Sequence, residues 1–354
     1  MPFINDFVVK ENLCNMRCKY CLTQTSTFVE EIFKSNCLVY EKNSKLKDNM
    51  DKVTEEINRE FNISILKISG GEILMVEGIL DYIKKHASKY KKVQLLTNGM
   101  LLSPMFLTEL KKIENVCIQI SIDHHTIEGN GYRTSKYAHL KKILDNLDYA
   151  VQLGFEIEIN CVLHNKNTHL LLNYVQYLSK YAPNILLLPF PIRGQYKDNF
   201  YPQKEQLQGV EEVINQYDLY KEILPPKIYL EYLLRFLNSG KREIPCVLPQ
   251  VAIGSFDDGR ITPCANYWFT SLGNIMVENS KKVFNKVNTH SIYRALSSER
   301  CRPNECNQCF TPWEIINLYC LGKLSVEDLK KIPLYSFQGL EECLSNVHIE
   351  ERKT

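Results

Sequence analysis

The sequence predicts an α/β fold: an incomplete (β/α)6, TIM-like barrel or an open doubly wound sheet, followed by a small cysteine-rich α+β region. Three observations carry this. Six short apolar runs alternate with longer amphipathic segments from Phe7 to about Phe190, the pattern of parallel strands joined by right-handed helical crossovers. A closed eight-stranded barrel takes roughly 250 residues, so this shorter stretch suits six units. The style then changes, and seven of the 13 cysteines fall at or after Cys246.

Strands are expected at 6–10, 64–69, 93–97, 116–123, 156–163 and 185–190. Each is rich in Ile, Val or Leu, as strands covered on both faces are. Helices are expected near 49–61, 77–90, 104–113, 137–153 and 168–181. In the fourth, Leu140, Ile143, Leu144, Leu147 and Val151 make one apolar stripe at three- and four-residue spacing. Residues 1–195 thus read as the barrel unit and 196–245 as a helical linker, punctuated by Pro202, Pro225-Pro226 and Gly240. Residues 246–325 form the cysteine-rich domain, with a hairpin turning on Asp258-Gly259 and a helix near 312–321. Residues 326–354 read as a frayed, charged tail.

Composition excludes some classes. The chain carries 43 basic and 41 acidic residues, a net charge of +2, which argues against a general nucleic-acid binder. No secretory segment or membrane-length apolar run is present, so a cytoplasmic protein without a membrane partner is expected. Thiols in that compartment serve as metal ligands or in catalysis more often than as disulfides.

The first chemical signal is Cys14, Cys18 and Cys21, spaced C-x3-C-x2-C after the first strand. Three thiolates can hold three corners of a [4Fe–4S] cluster and leave one iron open. The alternative is a structural zinc site, with Cys37 as a fourth ligand. Gly70-Gly71-Glu72, Asn98 and Asp123 also follow strands, so the topology gathers them on one rim with the cysteine loop.

With Tyr20 before its last cysteine, this loop resembles the signature of the radical S-adenosylmethionine (SAM) superfamily. The resemblance implies an incomplete (β/α)6 barrel and a cluster whose open iron binds SAM. It further implies reductive cleavage of SAM to a 5′-deoxyadenosyl radical that abstracts a substrate hydrogen atom. It places Tyr20 near the adenine, Gly70, Gly71 and Glu72 at the methionine end, and Asn98, Ser121 and Asp123 around SAM. Arg133 would pair with the SAM carboxylate and Asn160 with the ribose. A reductant such as flavodoxin or ferredoxin is implied as a partner.

Cys246, Gly259 and Cys264 follow a C-x12-G-x4-C pattern, with Cys306 and Cys309 farther on. This resembles the SPASM/twitch auxiliary-cluster domain, and implies that these four cysteines hold at least one auxiliary [4Fe–4S] cluster. Cys301, Cys320 and Cys343 are spare ligands for a second. The resemblance extends from about residue 6 to 325.

Many members with this domain modify ribosomally made peptides by crosslinking, thioether formation or epimerisation, and modification of a peptide or protein is the expectation here. The alternative is dehydrogenation or epimerisation of a small molecule such as an aminocyclitol or sugar, kept open by the x17 spacing from Cys246 to Cys264. A reading of another class is a zinc-stabilised, non-enzymatic binding module. Epimerisation needs a hydrogen donor, for which Cys161, if it faces the lumen, and Cys320 are candidates. Cys117 reads as a buried small hydrophobe, His124-His125 as a polar pair at a strand end, and Trp313 as a packing anchor beside the last auxiliary cysteines.

Overall fold

The computed structural model describes residues 1–22, 44–194, 197–298, 302–345 and 347. The apolar runs form β1 (Ile4–Val9), β2 (Ile65–Gly70), β3 (Lys92–Thr97), β4 (Val116–Ser121), β5 (Ile157–Leu163) and β6 (Ile185–Pro191). All neighbours pair in parallel in the order β6-β5-β4-β3-β2-β1. This is the incomplete barrel rather than a doubly wound order, which would reverse direction at a switch point.

Helices Ser44–Glu60, Ile79–His86, Pro104–Leu110, Tyr137–Gln152 and Leu171–Leu178 supply the crossovers. Their starts follow local chemistry. The Ser103 hydroxyl accepts the Phe106 N–H at 3.2 Å with Pro104 behind it, the usual N-terminal cap with proline in the first turn. In Tyr137–Gln152 the buried positions are Leu140, Ile143, Asn146, Leu147 and Ala150; Leu144 and Val151 flank that stripe, half-buried. Outward strand residues meet the helices, as where Phe7 lies 6.2 Å from the ring of Tyr82.

The inner strand face is polar. Cross-strand register aligns Asp6 with Lys67 and Lys67 with Gln94, and aligns Gln119 with Glu158. Gln119 Nε2 donates to Glu158 at 2.7 Å, and the Ser69 hydroxyl donates to Asp6 at 3.1 Å. Burial raises both carboxyls above their usual range while Lys67 opposes the shift.

Two features depart from the expected layout. β7 (Ala252–Phe256) pairs in parallel with β1, from Ile4↔Ala252 to Val8↔Phe256. β8 (Arg260–Thr262) and β9 (Gly273–Asn274) then add antiparallel, so one nine-stranded sheet runs through both regions. The β7–β8 turn is the expected one, with Gly259 at φ 89° and a Cβ there 2.3 Å from the Met276 side chain.

The tail is not frayed as far as Leu344. Helices Val326–Lys330 and Leu340–Leu344 flank a turn at Pro333–Tyr335, and Leu329, Tyr335 and Leu340 are fully buried. The Leu334 N–H donates to Glu158 Oε1 at 2.9 Å, so this segment plugs the polar inner face. Burying such side chains stabilises by about 1.5–3 kcal/mol each, enough to outweigh the charged residues between them. Among the described residues no helix is long and apolar enough to cross a membrane.

Candidate active site

The cysteine loop leaves β1 through a turn in which the Leu13 N–H donates to the Lys10 carbonyl at 2.8 Å. Met16 N–H points at Cys14 Sγ (3.4 Å), and Cys21 N–H closes on the Cys18 carbonyl (3.1 Å). Burial pushes the Cys14 thiol up to about 11 and Cys18 up to about 12, and Cys21 adds to both shifts. Binding iron or zinc would require these protons to leave. Cys37, the expected zinc alternative, and Cys301 lie outside the described residues.

Each strand end braces this loop. At β2, Gly71 N–H reaches the Lys10 carbonyl (3.3 Å) and Glu72 N–H the Leu13 carbonyl (2.6 Å). A Cβ on Gly71 would stand 2.1 Å from the Leu13 carbonyl oxygen, and one on Gly70 1.9 Å from that of Val9. The glycines are therefore required by close backbone approach. Gly71→Ala should shift the loop, lower the melting temperature and halve the iron bound on anaerobic reconstitution, as read by iron analysis. Full iron and an unchanged melting temperature would show that the contact is dispensable.

Glu72 is fully buried. Its carboxylate accepts from Thr97 Oγ1 (2.7 Å), Asn98 N–H (2.7 Å) and Leu74 N–H (3.0 Å), so it knits β2 to β3. Burial raises its carboxyl, with those donors opposing. Asn98 turns to the loop, donating to Asn15 Oδ1 at 2.7 Å and lying 3.9 Å from Cys14 Sγ.

Asp123, after β4, is the centre of a buried group. It accepts from the Tyr20 hydroxyl, from Val162 N–H (3.0 Å) and from Arg133 Nη2 (3.5 Å), with His164 Nε2 3.6 Å away. Burial opposes its ionisation, yet Arg133, His164 and Tyr20 hold its carboxyl below the usual range. Arg133 Nη1 lies 3.9 Å from Cys18 Sγ, and the guanidinium lies 5.7 Å from the Tyr20 ring centroid. Ser121 and Asn160 are register partners on β4 and β5, on the inner face and partly accessible. The structure thus brings Asn98, Arg133, Tyr20 and Asp123 to the cysteine loop, and sets Ser121 and Asn160 together deeper in the barrel. Sequence reasoning missed His164 and Asn15, because a single polar residue at a strand end carries no spacing signal.

The two hydrogen-donor candidates fare differently. Cys161 alternates with Asn160 and so faces outward; it is fully buried, its thiol 3.3 Å from the Asp123 carbonyl oxygen. It cannot reach a substrate in the lumen, and strand alternation is the reason. Cys320 ends the helix Glu314–Cys320, half-buried, with its thiol raised to about 11 by burial. The His124-His125 pair stacks at 4.4 Å and continues onto Tyr177 at 4.1 Å, outside the barrel.

Cys246, Cys264, Cys306 and Cys309 line one cavity of about 610 Å³, with Arg193, Lys197 and Trp313 on its walls. Burial raises Cys264 well above the thiol range and Cys306 to about 12, and the neighbouring thiols add to both shifts. Four thiols around a shared space fit a multi-iron cluster. Among the described residues no three His, Cys, Asp or Glu side chains converge to hold a single ion.

A polar chain supports the cavity. Arg242 forms a two-pronged pair with Glu314, 2.9 Å on the Nη1–Oε2 side. Asn317 donates to Glu314 at 3.0 Å, accepts the Val247 N–H at 2.8 Å and lies 3.8 Å from Cys246 Sγ. Sequence reasoning noticed Glu314 only as the neighbour of Trp313 and passed over Arg242 and Asn317, although Glu314 and Asn317 stand out as polar residues in an apolar helix. The Trp313 ring lies 4.9 Å from Lys67 Nζ, so it parts the cavity from the inner face of the barrel.

Comparison with known proteins agrees with this arrangement. The model of the radical SAM superfamily matches residues 9–171. A GTP 3′,8-cyclase of Staphylococcus epidermidis is 26% identical over 229 residues, 62% of this chain and 63% of that protein. The chain thus spans less than two thirds of that relative. One from Aliarcobacter butzleri is 33% identical over 153 residues, 42% of this chain and 43% of its own. Among solved structures, Streptococcus suis SuiB bound to S-adenosylmethionine superposes with TM-score 0.62 at 15% identity, covering 96% of this chain and 77% of that one. Native anSMEcpe with bound AdoMet superposes with TM-score 0.57 at 19% identity, covering 97% and 99%. The strand order, the braced three-cysteine loop and the matched model lead to one conclusion: residues 9–171 match the radical SAM superfamily.

Proposed function

We propose that this chain binds a [4Fe–4S] cluster through Cys14, Cys18 and Cys21 and cleaves SAM there to modify a peptide or protein. A second, auxiliary cluster would sit on Cys246, Cys264, Cys306 and Cys309. The cluster supplies the one-electron chemistry; this chain's residues position and shield it. Gly71, Asn98 and Arg133 fix the loop, while Ser121 and Asn160 offer hydrogen-bonding groups on the lumen side. Trp313 and the C-terminal plug exclude water from the inner face.

The observation that carries the peptide reading is the four-thiol cavity in a chain matched along 97% of its length by anSMEcpe. Solved forms of that fold include anSMEcpe with a Cp18Cys peptide and SuiB with precursor peptide SuiA. A second reading, a small molecule or nucleotide substrate, is favoured by the GTP 3′,8-cyclase relatives.

The test is anaerobic reconstitution followed by SAM, dithionite and either a short peptide encoded beside the gene or GTP. Peptide-dependent 5′-deoxyadenosine with a mass change in the peptide is the expected result. Stimulation by GTP alone would replace the peptide reading with the second. Protein that holds only zinc and makes no 5′-deoxyadenosine would overturn both.

A further inference from the structure

The loop from Asp123 to Arg133 is closed on itself and locked to the cysteine loop. The fully buried Asn130 side chain accepts the Asp123 N–H at 3.0 Å, and the Arg133 N–H returns to the Asn130 carbonyl at 2.9 Å. One residue earlier, the Tyr132 carbonyl accepts the Lys19 N–H at 2.8 Å. The guanidinium of Arg133, 9% exposed, is thereby brought in beside Cys18. One terminal nitrogen faces Asp123 Oδ1 and the other faces Cys18 Sγ; Nε is buried with no partner.

That geometry differs from a carboxylate clamp. A guanidinium grips a carboxylate with two parallel N–H groups, whereas the two terminal nitrogens of Arg133 point to different partners, Asp123 and Cys18 Sγ. Reduction of a cluster adds one negative charge, and a hydrogen bond from a cation to a ligating sulfur stabilises the more negative form. Hydrogen bonds to the sulfurs are among the determinants of cluster potential, and a buried site screens them less than water would.

We propose that Arg133, anchored by Asp123, is a positioning residue that donates to Cys18 Sγ and raises the reduction potential of the cluster on the cysteine loop. This inference rests on the reading that Cys14, Cys18 and Cys21 hold a [4Fe–4S] cluster. Asp123 fixes the direction of the donor, and the joint at Lys19–Tyr132 keeps loop and guanidinium moving together.

The test is a potentiometric titration followed by electron paramagnetic resonance, without SAM, on wild type, Arg133→Met and Arg133→Lys at measured iron content. The Met variant should show about a tenfold lower ratio of reduced to oxidised cluster at fixed potential, the worth of one charge-assisted bond. That is about 59 mV for a one-electron couple. The Lys variant, which keeps the charge and loses the fork, should fall between. If the Met variant holds no iron, the Lys variant decides alone. Equal potentials would overturn the inference, as would weakened SAM binding at unchanged potential, the mark of a carboxylate clamp. A wild type with no cluster signal would instead defeat the underlying reading.

Discussion

Replacing Cys14, Cys18 and Cys21 together by alanine should abolish 5′-deoxyadenosine formation, by on the order of 10³-fold or more, because the chemistry belongs to the bound group. Iron should fall from roughly eight to roughly four atoms per chain, the share of one cubane cluster. The fold should survive. These cysteines are half-buried on a rim loop, and the contacts that tie the loop down are largely backbone, such as Glu72 N–H to Leu13 and Lys19 N–H to Tyr132. Circular dichroism and melting would check the fold, and anaerobic iron and sulfide analysis the metal. Full iron retention would place the cluster elsewhere.

Arg242→Met should strike the other site. Arg242 and Glu314 have side-chain exposures of 4% and 1%, and losing one partner of such a pair costs about 3–5 kcal/mol. The auxiliary iron should be lost with it, since Glu314 orders Asn317 and Asn317 orders Cys246, while the iron of the cysteine loop remains. The deficit should depend on pH. Burial already raises the Glu314 carboxyl despite Arg242, and without that cation it rises further. The folded variant then binds a proton that the unfolded chain, near the ordinary value of 4.5, has released. Its stability falls as pH rises through that window. The gap to wild type is therefore widest at neutral pH and narrows toward pH 4.5; chemical denaturation across pH would reveal it. A constant gap would show that the proton is not taken up.

Much of the barrel was legible because parallel strands buried on both faces are short apolar runs, and each strand lies within two residues of its expected place. The cysteine loop was legible because its spacing is local. The β1–β7 pairing was not, since residues about 250 apart in the chain meet through backbone alone. The tail misled because Leu329, Leu334, Tyr335 and Leu340 are scattered among charges in helices too short to show a stripe. The polar inner face was not legible: Glu156, Glu158 and Asn160 alternate at period two, but the apolar residues between them and on the neighbouring strands dominate the pattern. Side-chain direction decided Cys161: one step along β5 separates the lumen from the helix layer.

The sheet that runs unbroken from β6 to β9 has a mechanical consequence. The cysteine loop hangs from the end of β1, and the cavity of four thiols is built on the hairpin that begins with β7, the strand laid directly against β1. The two sulfur sites are therefore fastened to adjacent rungs of one ladder, with Lys10 N–H clasping Asp257 at its upper end (3.0 Å). A hinge between them would have to break main-chain hydrogen bonds. Whatever passes between the two sites crosses a fixed gap, and substrates can be exchanged over evolution by reshaping loops while that baseline stays constant.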